Sequence, residues 1–339
     1  MFRVTWTIFS CELQPKILIL KKPFGFVVIN KPTGLTSHDC VNRLRRVFGI
    51  KKIGHGGTLD PAVTGVLPIA IGDATRLISY LHGSKSYTGI IQLGTNTNTD
   101  DMQGEIISSK IWPIISNNTL NDLLDNFRGD ILQKPPIFSS VHFKGERAYK
   151  KARRGEKFDL APKKITINQL KLITWSQSRG ELVVDVDCSK GTYIRSLARD
   201  IGNKLGCGAY LKKLHRTKAY SFNENHSVLL PEKLEFYPEN LKPEILSPNN
   251  FLKHLSSFKL NSEEELISWR SGRKINFQNN FERLKLPIKG EDSKSDNKNI
   301  LVIDHKNDIA GIANLDESLI IKPKVVFNAI GWKIKLSEK

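Results

Sequence analysis

Residues 181–206 read ELVVDVDCSKGTYIRSLARDIGNKLG. Leu182, Val184 and Val186 alternate with Asp185 and Asp187, the period of a strand with one buried face. A helix follows, with Ile194, Leu197, Ala198, Ile201 and Leu205 as its apolar stripe and Gly206 at the C′ position that favours glycine. This strand-to-helix passage stands among other short runs of hairpin character. Strands and helices in irregular alternation argue for a mixed α+β fold rather than regular βαβ winding.

Working outward, Phe24 to Asn30 is a short β-rich apolar run ended by the turn signal Lys31-Pro32-Thr33-Gly34. Thr36 with Asp39 three residues on forms a capping-box pattern. Cys40, Val41, Leu44, Val47 and Phe48 then recur at helical spacing, and Gly49 marks the stop. Gly54 to Asp60 is a glycine-dense loop, with a helical or turn segment expected from Pro61 and a strand over Leu67 to Ile71. Tyr87 to Leu93 reads as another strand, and Thr95 to Asp101 as a loop or turn. Downstream, Pro231 to Pro248 is rich in Pro, Glu, Lys and Asn and reads as a connection. It leads to a smaller unit holding Leu252 to Phe277, a polar stretch from Lys289 to Asn299 read as a mobile loop, and β-like runs Ile300 to Ile303 and Leu319 to Phe327. Residues 1–22 match no element. The expected organisation is an unassigned lead-in over 1–22, a main domain over 23–250 and a small β-rich domain over 251–339.

The 339 residues carry 52 Lys and Arg against 34 Asp and Glu, a formal charge of +18, which points to a polyanionic partner. No apolar run approaches the roughly 18 residues of a bilayer helix, and the first ten residues make a poor signal peptide. Cys11, Cys40, Cys188 and Cys207 are too widely spaced for a metal knuckle and too few for a disulfide framework. Reduced thiols and a cytoplasmic location are the expectation.

Three segments carry chemistry. In Gly54-His55-Gly56-Gly57-Thr58-Leu59-Asp60-Pro61 the glycines permit close approach of a ligand to a loop that presents the Asp60 carboxylate. The competing reading makes Asp60 a helix N-cap with Pro61 at N1. Arg195 stands near a helix N-terminus, where the macrodipole disfavours a cation, so it calls for an anion such as the Asp60 carboxylate or an RNA phosphate. An ordinary surface arginine is the alternative. Lys144, Arg147, Lys150, Lys151, Arg153, Arg154 and Lys157 oppose only Glu146 and Glu156. That density suits a phosphate-tracking arm with Tyr149 available to a base, or else a solvated helix face. Lys212, Lys213, His215, Arg216 and Lys218 repeat the basic theme. His55 could touch a phosphate or a base. Zinc-hydrolase, serine-hydrolase and dinucleotide motifs are absent.

Lys31-Pro32-x-Gly34 with Thr36-Ser37-His38-Asp39, GHGGTLDP at 54–61 with Thr64-Gly65-x-Leu67-Pro68, and CSKGTYIRSLARDIG at 188–202 with LGCGA at 205–209 closely resemble the TruB family of bacterial tRNA pseudouridine synthases. The resemblance covers about residues 24–220. It implies the pseudouridine-synthase fold, a largely antiparallel mixed sheet flanked by helices, with a PUA-like RNA-binding domain at the carboxy terminus. It also implies an isomerase that converts the T-loop uridine 55 of tRNA to pseudouridine after flipping the base out of its stack, as a monomer without cofactor or metal.

By the same resemblance Asp60 is the catalytic aspartate, acting on C1′, on C6 or on a ribose proton. Tyr87 stacks on the target base and is implicated in removing the C5 proton, Arg195 pairs with the aspartate, and Leu214 lines the uracil pocket. Lys31 supports the active-site loops. The basic stretch within 134–160 resembles an RNA-gripping insertion, making Arg147, Lys150, Lys151, Arg153 and Arg154 RNA contacts. Asn98 stands where the family usually has Asp, His142 where a lysine is common, and the tail diverges around Lys289 to Asn299. A non-catalytic RNA-binding protein or tRNA-folding chaperone is the alternative, against which Asp60, Tyr87 and Arg195 stand together.

Overall fold

The computed structural model describes residues 22–232, 236–276, 281–286, 298–316 and 320–329. The lead-in to residue 21, Cys11 and most of the polar stretch expected to be a loop near 289–299 lie outside them. The amino-terminal strands are β1 (Gly25–Lys31), β2 (Ile53–His55), β3 (Thr64–Ile71) and β4 (Lys85–Leu93), with helix α1 (Ser37–Phe48) between the first two. A small hairpin of β5 (Thr95–Thr97) and β6 (Ile106–Ser109), helix α2 (Asn117–Asp125) and β7 (Gly129–Gln133) follow. The basic stretch is a second hairpin, β8 (His142–Phe143) and β9 (Glu146–Arg147), running into the short helix α3 (Ala148–Arg153). The long strands β10 (Lys163–Ser176) and β11 (Glu181–Cys188), helix α4 (Ile194–Lys204), β12 (Ala209–Ala219), β13 (Phe222–Asn223) and β14 (Ser227–Leu229) complete the main unit.

Ten of these strands form one sheet in the order β14-β1-β3-β12-β4-β11-β10-β7, with β2 on β3 and β13 on β12. Only β1 with β14 and β3 with β12 run parallel, so the sheet is mixed and largely antiparallel, as expected. β1 shows why both faces must be covered. Val27 and Ile29 enter a core with α1, α2 and α4, while Phe26 and Val28 enter a second core on the other face. A strand apolar on both sides has no solvated face to offer.

The second core is closed by the carboxy-terminal unit. There β15 (Ser256–Lys259), helix α5 (Glu263–Arg270), β16 (Ile275–Asn276), β17 (Leu284–Lys285), β18 (Asn299–Ile303), β19 (Ile309–Leu315) and β20 (Ile320–Val326) build a six-stranded sheet. Leu301, Ile312, Val325 and Phe327 pack against Phe26 and Val66, while Trp269 of α5 fills the opposite side of this sheet. The smaller unit is therefore β-rich and docked on the back of the main sheet. Among the described residues no helix is long and apolar enough to cross a membrane.

Several local readings are realised in detail. Thr36 accepts from Asp39 N–H, Asp39 accepts from Thr36 N–H at 2.8 Å, and Gly49 closes α1 at φ 66°. Cys40, Cys188 and Cys207 are free and buried.

Candidate functional site

Strand β4 organises the site. Side chains two apart on a strand share a face, so Lys85, Tyr87 and Gly89 look the same way. β11 and β12 flank β4, and the register places Arg216 beside Tyr87 and Leu214 beside Gly89. A Cβ on Gly89 would stand 3.3 Å from Leu214 Cδ1, so the glycine clears room for the leucine.

The passage from β11 to α4 supplies the next piece. Gly191 turns the chain at φ 91°, and Gln133 clamps Tyr193, donating to its carbonyl at 3.1 Å and accepting from its N–H at 2.9 Å. α4 has no side-chain cap. Arg195, the second residue of the helix, is buried, and its cost near the positive helix end is offset by two carboxylates. Its Nε lies 3.0 Å from Asp60 Oδ2 and its Nη1 3.7 Å from Asp101 Oδ2. Nη1 and Nη2 also donate to the carbonyls of Thr99 and Phe138 at 3.0 and 3.1 Å. One guanidinium thus ties together the glycine loop, the turn after β5 and the segment leading to the basic hairpin.

The loop bearing Asp60 is held from below. Ser37 Oγ accepts from Leu59 N–H at 2.8 Å, and Arg216 donates to the carbonyls of Val66 and Gly57 at 2.7 and 3.2 Å. Lys31, fully buried, donates to the carbonyls of Pro32, Leu35 and Pro61 at 2.8, 2.6 and 3.2 Å. No helix starts at Pro61: a turn closes from Val63 N–H to the Asp60 carbonyl, and β3 begins at Thr64. The N-cap reading of Asp60 therefore fails. Its side chain is 41% exposed, with Arg195 as its ionic partner among the described residues.

These pieces surround a cavity of about 530 Å³. Of the residues singled out from sequence, Asp60, Tyr87, Tyr149, Arg153, Arg195 and Leu214 line it, with Arg153 over the Tyr149 ring. Lys31 and His55 do not. Lys31 supports the loop, and His55 Nδ1 accepts from Gly57 N–H at 3.3 Å, with burial holding its pKa low. The remaining basic residues of the hairpin and α3 face outward, and some are tied internally. Arg154 grips Glu146 with two bonds of 2.7 Å, and Lys151 reaches Glu156 at 2.8 Å. Arg147 bonds the Ser140 carbonyl and Lys150 is exposed.

The basic run on β12 is not the surface patch its composition implied. Arg216 is fully buried, Lys212 pairs with Glu181, and His215 is held between Thr64 and Glu224. β12 is an interior strand of the sheet, so alternate side chains turn inward whatever their charge.

Two titrating groups are displaced on the β4 wall. Burial pushes the Tyr87 phenol up to about 12 against the opposing pull of the Arg216 guanidinium, so it stays protonated. Burial and the nearby Arg216 charge bring Lys85 down to about 8. Lys85 lines the cavity, although the sequence reading gave it no role beyond its place before Tyr87. Its two-residue spacing from Tyr87 was the available signal. Asp101, Phe138 and Tyr193 also line the cavity, brought there by tertiary contacts with no local pattern.

The model for the amino-terminal domain of TruB family pseudouridylate synthases matches residues 45–194, and that for the tRNA pseudouridylate synthase B carboxy-terminal domain matches 195–247. A tRNA pseudouridine synthase B of Prochlorococcus marinus strain NATL1A is 76% identical over 314 residues, 92% of this chain and 100% of that protein. One from Prochlorococcus marinus strain MIT 9313 is 50% identical over 319 residues, 91% of this chain and 99% of its own length. Among solved structures, a chain of an H/ACA ribonucleoprotein bound to a substrate RNA containing 2′-deoxyuridine matches with a TM-score of 0.63 at 21% identity, covering 90% of this chain and 85% of that one, which supports the fold. On this identity and coverage the chain belongs to the TruB family of pseudouridylate synthases.

Proposed function

We propose that this protein isomerises a tRNA uridine, the T-loop uridine 55, to pseudouridine, with Asp60 as the catalytic carboxylate. The observation that carries this reading is the Asp60–Arg195 ion pair on the wall of a cavity whose other walls are Tyr87 and Leu214. The reaction breaks the N1–C1′ bond, turns the uracil and joins C5 to C1′, so it needs a carboxylate beside the ribose and flat apolar walls for the ring. Arg195 orients Asp60, and Tyr87 and Leu214 hold the base. The neutral Tyr87 phenol favours a stacking role over that of a strong base. Lys31 and His55 act indirectly, by fixing the loop that carries Asp60.

A uridine stacked in the T loop must leave its stack to enter the cavity, and binding energy from the basic surface offsets that loss. Arg153 with Tyr149 meets the RNA at the cavity, while Arg147, Lys150, Lys151 and Arg154 grip phosphates farther out. We assign residues 23–250 to catalysis and 251–339 to a divergent PUA-like RNA-binding unit. The enzyme works in the cytoplasm as a monomer without cofactor or metal.

The test is tritium release from C5-labelled uridine in an unmodified tRNA transcript. Wild type is expected to release tritium, Asp60→Asn to release none while binding tRNA within about twofold, and a transcript lacking the target uridine to yield none. Turnover by Asp60→Asn comparable to wild type overturns the catalytic assignment. Tight binding without release by wild type favours the RNA-binding alternative.

A further inference from the structure

Lys85 is a cation set where the fold gives it no counter-charge. It lines the cavity, and no hydrogen bond or ion pair from its ammonium to a described residue is present. Its one polar-to-ring contact is with Tyr220, 5.4 Å from the ring centroid. The charges that act on it are like charges, Arg216 and Lys190, and the nearby Cys188 is a thiol pushed up to about 12, hence neutral. Gly57, at φ 147°, makes room for it: a Cβ there would lie 2.9 Å from Lys85 Nζ. Arg216, whose guanidinium acts on the Tyr87 hydroxyl, keeps its buried Nη1 without a hydrogen-bond partner among the described residues. The Asp60 carboxylate is committed to Arg195, on the α4 side of the cavity.

A half-buried, unpaired ammonium lining a cavity calls for an anion that arrives with the ligand. Given the proposed isomerisation, on which this inference rests, the anion arises in the reaction. Heterolysis of N1–C1′ leaves the bonding pair on N1, and the uracil anion spreads that charge over O2 and O4. The ring then turns, C5 bonds to C1′, the C5 proton is lost and N1 gains a proton, so the product is an isomer with no net gain or loss. We propose that Lys85 receives the negative charge on an exocyclic oxygen of the detached uracil and is thereby a catalytic residue. Its position two residues from Tyr87, on the face of β4 that walls the base, favours the ring over the backbone. The phosphates have the exposed Arg153 instead. A preorganised cation aimed at charge that exists only after bond cleavage lowers the barrier more than it strengthens binding.

The test is single-turnover conversion of tRNA by the full chain, wild type against Lys85→Met, with RNA affinity measured alongside and circular dichroism confirming the fold. A second RNA carries methylphosphonate linkages flanking the target uridine, which removes the local phosphate charges. The expected result is a loss of 100-fold or more in the conversion rate for Lys85→Met on both RNAs, with affinity within twofold of wild type. Conversion by the variant within threefold of wild type overturns the proposal while leaving the proposed activity intact. A loss of affinity that the methylphosphonate RNA reproduces with wild type assigns Lys85 to a phosphate and equally overturns it. If wild type converts no RNA, it is the activity itself that fails.

Discussion

Replacing Lys85 by methionine is expected to make the RNA-free protein more stable. The folded state holds this lysine at about 8 against an ordinary 10.5, through burial first and the nearby Arg216 charge second, which sets roughly 3 kcal/mol against the charged form. Methionine keeps most of the stem and discards the charge. The lost contact with the Tyr220 ring returns about 0.5–1 kcal/mol, leaving a net gain of about 2 kcal/mol at neutral pH. The pH dependence has a fixed direction. Below about pH 8 both folded and unfolded chains hold the proton, and wild type bears the full penalty. Between about 8 and 10.5 the folded chain releases it first, the unfolded chain then binds more protons, and wild-type stability rises relative to the variant. Denaturant unfolding of both proteins without RNA, at pH 7 and pH 10, reads this directly. The variant should lead at pH 7, and most of that lead should vanish by pH 10. A variant less stable than wild type at pH 7, or a difference that ignores pH, refutes the idea that Lys85 is held charged against an uncompensated environment.

Lys31→Met removes the buried ammonium that bonds the Pro32, Leu35 and Pro61 carbonyls, of which Pro61 keeps the Gly34 N–H, and should destabilise the fold by about 2 kcal/mol net; because it loosens the Asp60 loop, turnover should fall further than tRNA affinity, which comparing single-turnover rates with binding isotherms will show. Gly65→Ala places a Cβ 2.2 Å from the Arg216 carbonyl at φ 106°, so a loss of about 3 kcal/mol or more is expected in denaturant titration, and an unchanged midpoint contradicts the β3–β12 packing. Arg153→Gln should weaken tRNA binding and lower the salt slope by about one ion. Arg154→Gln, whose charge is already spent on Glu146 and Glu156, should change that slope less; equal slopes for the two variants would count against the assignment of Arg153 to the RNA path.

The sequence made the elements with complete local signals legible. α1 had its capping box and terminal glycine, β11 its clean alternation, and α4 its stripe, and each lies where it was read. β10 and β12 were not read as strands because bulges break their period. β10 slips against β11 between Ile167 and Gln169 and again between Leu172 and Thr174, and β12 against β4 at Leu211/Lys213 and Arg216/Lys218. Each slip resets which side chains face inward. That is why Arg216, read as surface charge, is buried. Asp60, Tyr87, Arg195 and Leu214 were found by resemblance more than by pattern, since a strand tyrosine and a lone arginine have ordinary structural explanations. Asp101 had only the signal of a turn residue, its carboxylate accepting from Thr99 and Gln103, and it joins the site through the reach of Arg195 across the cavity.

The junction between the two matched family segments falls between residues 194 and 195, so Asp60 and Tyr87 come from one and Arg195 and Leu214 from the other. What joins them is the pairing of β4 with β12 and the single guanidinium that spans to the Asp60 loop. A one-residue slip of β12 on β4 would turn Leu214 and Arg216 away from the Tyr87 wall and bring Lys213 and His215 into it. The bulges at Leu211/Lys213 and Arg216/Lys218 bracket these residues and pin that register on both sides. The site is thus a consequence of strand register more than of any one segment. Its charge is divided by the same geometry: on the α4 side Arg195 meets two carboxylates, while on the β4 side Lys85 and Arg216 meet none in ion-pair range among the described residues. An uncharged ligand would leave the second wall uncompensated, whereas one that becomes an anion during its own conversion completes it only while the bond is broken.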